Sequence, residues 1–67
     1  MENWLQAALR EADTTLESVL DITPEDSSYI AEHPGMLTIN EVNAVARVLP
    51  DEVARRMLER LVEVFAL

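Results

Sequence analysis

The twelve residues from Asp21 to Glu32 open with aspartate and close with glutamate, the frame of a calcium-binding loop. Asp21, Thr23, Glu25 and Ser27 fall at its first, third, fifth and seventh places. The sixth place, where glycine makes the turn, holds Asp26, and the eighth, where an apolar residue belongs, holds Ser28. Thr23-Pro24-Glu25-Asp26 reads better as a helix start: a hydroxyl cap, proline at the first helical position, then acids against the positive end of the helix dipole. An acidic helix N-terminus is therefore expected, with no metal site.

His33 is the lone histidine and sits in His33-Pro34-Gly35, a turn signal that places it in water. No nucleophile–base pair can be assembled around it, and nothing in the sequence marks two carboxylates as buried together. No enzyme activity and no cofactor are expected. Thr38-x-x-Glu41 matches an acid-directed phosphorylation pattern, but a capping box explains the same residues without a kinase. Val45-Ala46-Arg47 and Val53-Ala54-Arg55-Arg56 give a faint helix-turn-helix pattern. Its second helix would enter the groove with Asp51 and Glu52 leading, against phosphate, so direct nucleic-acid binding is not expected.

The remaining candidates are contact residues rather than chemical ones. Trp4 and Tyr29 belong to the types that anchor protein interfaces. For Trp4, at the edge of the first apolar stripe, a structural role is favoured over a binding one. Glu11, Asp13 and Glu17 lie on what the helical period makes the wet side of the first helix. Met36-Leu37 is expected to fold back on the core, or else to join a contact patch.

Composition narrows the field further. Sixty-seven residues make one domain at most, expected to span 1–67, and such a chain has a core that rarely supplies more than ~3–5 kcal/mol without a staple. Cysteine count is zero, which excludes disulfides and leaves helix packing or oligomerisation. Net charge is −8, from thirteen acids and five bases, all arginine, a balance unsuited to nucleic acid or an anionic membrane surface. The charge is uneven: residues 1–35 carry eight acids and only Arg10, a balance of −7, and residues 36–67 a balance of −1. No stretch approaches the ~20 apolar residues of a membrane span. The opening Met1-Glu2-Asn3-Trp4 lacks the basic start of a secretory signal, so a cytoplasmic location is expected.

The elements that position these residues are helical. Asn3 and Gln6 form a capping-box pattern, followed by Leu5, Ala8, Leu9, Ala12, Leu16, Val19 and Leu20 on one face; the spacing predicts a helix over about 4–20. A short helix is expected over 24–32, closed by the residue before Pro34. Thr38 and Glu41 start another over 39–49, and Pro50 then forces a kink or a new helix, expected over 51–66. In that last segment Val53, Met57, Leu58, Leu61, Val62, Val64 and Phe65 lie within ~180° of arc, wider than one neighbour covers. They are expected to build the core and a dimer seam. The opposite face offers local pairs, Glu52 with Arg56, Arg55 with Glu59 and Arg60 with Glu63.

The expected architecture is therefore all-α, a bundle of three to four helices completed by homodimerisation. The expected function is that of a non-enzymatic, protein-binding regulator or inhibitor. The alternatives are a nucleic-acid mimic that blocks a DNA-binding protein and a structural subunit or chaperone of a larger assembly. In size, acidity and helicity the chain resembles phage- and plasmid-encoded inhibitors, antitoxins and secretion chaperones. That resemblance is one of style and assigns no residue a role.

Overall fold

The computed structural model describes residues 2–65, except for the side chain of Phe65. Within them lie five α-helices and no strand: α1 (Trp4–Glu11), α2 (Leu16–Leu20), α3 (Pro24–Glu32), α4 (Ile39–Val48) and α5 (Asp51–Phe65), with a 3-10 turn at Pro34–Met36. The end expected at residue 66 and the core role expected for the Phe65 side chain lie outside the described part.

Three of the helix starts follow from their caps. The Asn3 side chain accepts from the Gln6 N–H at 2.8 Å, and the Gln6 side chain accepts from the Asn3 N–H at 3.0 Å. Thr38 and Glu41 form the same reciprocal box, at 3.2 and 2.9 Å. Thr23 Oγ1 accepts from the Asp26 N–H, so the segment from Asp21 to Glu32 is a capped helix start. At Pro50 the chain starts a new helix, because Leu49 is extended and leaves α4 at Val48.

The first expected helix is corrected. Residues 4–20 form two helices, broken at Ala12–Thr15 with Asp13 in the left-handed region at φ 52°. Asp13, Thr14 and Thr15 are all weak helix formers whose side chains compete for backbone partners. The break turns α2 onto α4, where Leu16 is fully buried. A straight helix would have carried Leu16 away along the axis of α1.

α1 packs mainly on α5, and α2 on α4. Where these layers meet, Trp4, Leu5, Ala8, Leu9, Leu16, Val45, Leu49, Val53 and Met57 form the buried cluster. Ala7 and Ala8 of α1 are both buried. Burial of apolar surface at ~25 cal/mol per Å² is the main force holding this cluster together. Among the described residues no helix is long and apolar enough to cross a membrane.

Candidate protein-contact surfaces

Along α5, a rotation of ~100° per residue separates three sectors. Val53 and Met57 face the core and are buried, with Ala54 and Leu61 partly covered beside them. On one flank, Arg56 and Arg60 reach α1. On the other, Leu58 and Val62 stand in water, 40% and 64% exposed. The apolar sector is thus wider than its intramolecular cover, as the sequence suggested. Val64 is also exposed.

Leu58 borders an apolar groove of about 590 Å³. Trp4 of α1, Leu37, Ile39 and Val42 at the start of α4, and Leu61 and Val64 of α5 line it, with Asn3, Asn43 and Pro34-Gly35 at its edges. Among the described residues no ionisable side chain lines it. Ile39, 80% exposed, stands at its mouth. Trp4 is buried to within 9%, so most of the ring is core and only its edge reaches the groove. The single glycine, Gly35, meets nothing within 4 Å of where a Cβ would stand, so it is not needed for close packing there. Leu37 packs against the core while Met36 is exposed, so the expected lid is half realised.

The expected placement of Glu11 on the wet side is corrected. It is half-buried and pairs with two arginines of α5: Arg60 Nη2 donates to Oε2 at 3.1 Å, and Arg56 Nε lies 3.4 Å from Oε1. Oε1 accepts no well-aligned hydrogen bond, so Arg56 contributes as a nearby charge. The local pairs expected for Arg56 and Arg60 within α5 are replaced by this clamp between helices. Ion pairing at helical spacing is only one option for a long arginine; a partly desolvated carboxylate on the neighbouring helix competes better. No signal in the sequence singles out Glu11, because its partners lie 45 and 49 positions away.

A second cross-chain contact starts at Asn3, whose side-chain N–H donates to the Ala31 carbonyl at 2.7 Å. At the surface, Arg10 donates to both oxygens of Glu2, at 2.8 and 3.0 Å. This hydrogen bond holds the Glu2 carboxyl below its ordinary pKa and raises that of Arg10.

Asp13, Glu17, Asp21, Glu25, Asp26 and Glu32 are all exposed, and none enters an ion pair among the described residues. This run from Asp13 to Glu32 contains no lysine or arginine. Tyr29, 54% exposed, lies in it, its ring tilted at 47° to that of exposed His33 with centroids 4.7 Å apart. Among the described residues no group of three or more histidines or carboxylates is gathered to hold a metal. The structure therefore divides the expected contact residues. Asp13, Glu17 and Tyr29 belong to the acidic side, Glu11 and Trp4 to internal packing, and Leu58, Val62 and Val64 to a separate apolar side.

Comparison with protein-family models, curated proteins and solved structures gave no match to this chain.

Proposed function

We propose that this chain is a non-enzymatic protein-binding module, a regulator or inhibitor that works as a homodimer on a protein partner. The observation that carries this reading is the division of its surface into two unlike faces. Six uncompensated carboxylates and the half-exposed Tyr29 ring occupy α2, α3 and their connections. Exposed Leu58 and Val62 of α5, bordered by Asp51, Arg55, Glu59 and Glu63, and the adjoining apolar groove occupy another face. The acidic face suits a basic protein surface: long-range attraction speeds encounter, and Tyr29 supplies an anchor. The apolar strip suits self-association, which would also extend a small core. On this reading nucleic acid and membrane are not direct partners, and a cytoplasmic location fits the lack of any extracellular staple.

The experiment is capture from nuclease-treated host lysate by the tagged wild-type chain and by the Asp13→Lys/Glu17→Lys/Asp21→Lys variant, at low and high salt. One stoichiometric partner is expected, held less well at high salt and lost from the variant. A partner retained equally by both chains at both salts would remove the acidic face from the reading. The same uncompensated run favours a second reading, mimicry of a phosphate backbone. If the captured partner binds DNA, duplex should compete with the chain for it; failure to compete would exclude mimicry.

A further inference from the structure

We draw no further inference here: the strongest candidate, the apolar groove where Trp4 of α1 and Ile39 of α4 meet Leu58 and Val64 of α5, is an uncovered surface, and nothing in the structure shows what covers it.

Discussion

Met57 is the test of the core, because it is large, central and fully buried. Met57→Ala removes three side-chain heavy atoms, worth about 2 kcal/mol in transfer free energy. A cavity that relaxes only partly adds a further ~1–2 kcal/mol, and the better helix propensity of alanine returns a few tenths. The net cost is about 3 kcal/mol, comparable with the whole stability expected of so small a core. Urea unfolding followed by helical circular dichroism should show a collapse of the midpoint, and thermal unfolding a fall of roughly 15–20 °C. Val62→Ala on the same helix, at a position 64% exposed, should stay within ~0.5 kcal/mol in the unassociated chain. Both variants are compared at two protein concentrations, since association adds a concentration-dependent term. A loss below ~1 kcal/mol for Met57→Ala, or equal losses at the two positions, would refute the assignment of the inner sector of α5 to the core.

Three further outcomes follow from local geometry. Glu11→Ala should cost on the order of 1 kcal/mol: the carboxylate is half-buried, but Arg56 and Arg60 remain 46% and 38% exposed, and solvent screens their attraction; a double-mutant cycle with Arg60→Ala measures the coupling, and a value near zero would mean that the clamp is incidental. Asp21→Gly should stabilise by up to ~1 kcal/mol, because Asp21 ends α2 at φ 55°, where glycine carries no Cβ penalty, and because a carboxylate leaves the negative end of the helix dipole; destabilisation in urea melts would show that the Asp21 side chain holds the turn in another way. Because the Glu2 pKa is lowered in the fold, its pairing with Arg10 contributes above the ordinary glutamate range and is lost as pH falls through the lowered value; in a carbonyl-detected NMR titration Arg10→Ala should return Glu2 to ordinary behaviour, and an unchanged curve would assign the shift to something else.

Helix type and most boundaries were legible from local chemistry, since Asn3, Thr23 and Thr38 cap through atoms only three residues away and Pro50 acts on its own neighbours. The break after Glu11 was not. Leu16, Val19 and Leu20 keep the helical period of Leu5, Ala8, Leu9 and Ala12, so periodicity runs straight through a turn whose cause is tertiary: Leu16 gains more by burial beside α4 than Asp13–Thr15 lose by leaving the helix. The excess width of the α5 apolar sector could be read from spacing, but the groove beside it needed Trp4, Leu37 and Ile39 brought together from separate segments. Glu11 was misplaced for the same reason, because its exposure depends on where α5 crosses α1.

The amide of Asn3 ties position 3 to a choice of residue made far along the chain. Serine, threonine or aspartate could each cap α1 by accepting from Gln6. None of them supplies both that acceptor and an amide N–H aimed at the Ala31 carbonyl, which an asparagine side chain does with its two ends. The first turn of α1 and the last turn of α3 thus close with one side chain across 28 positions of sequence. Loss of that side chain would therefore loosen both ends, by about 1 kcal/mol for the bond to α3 beyond the cost of the cap itself.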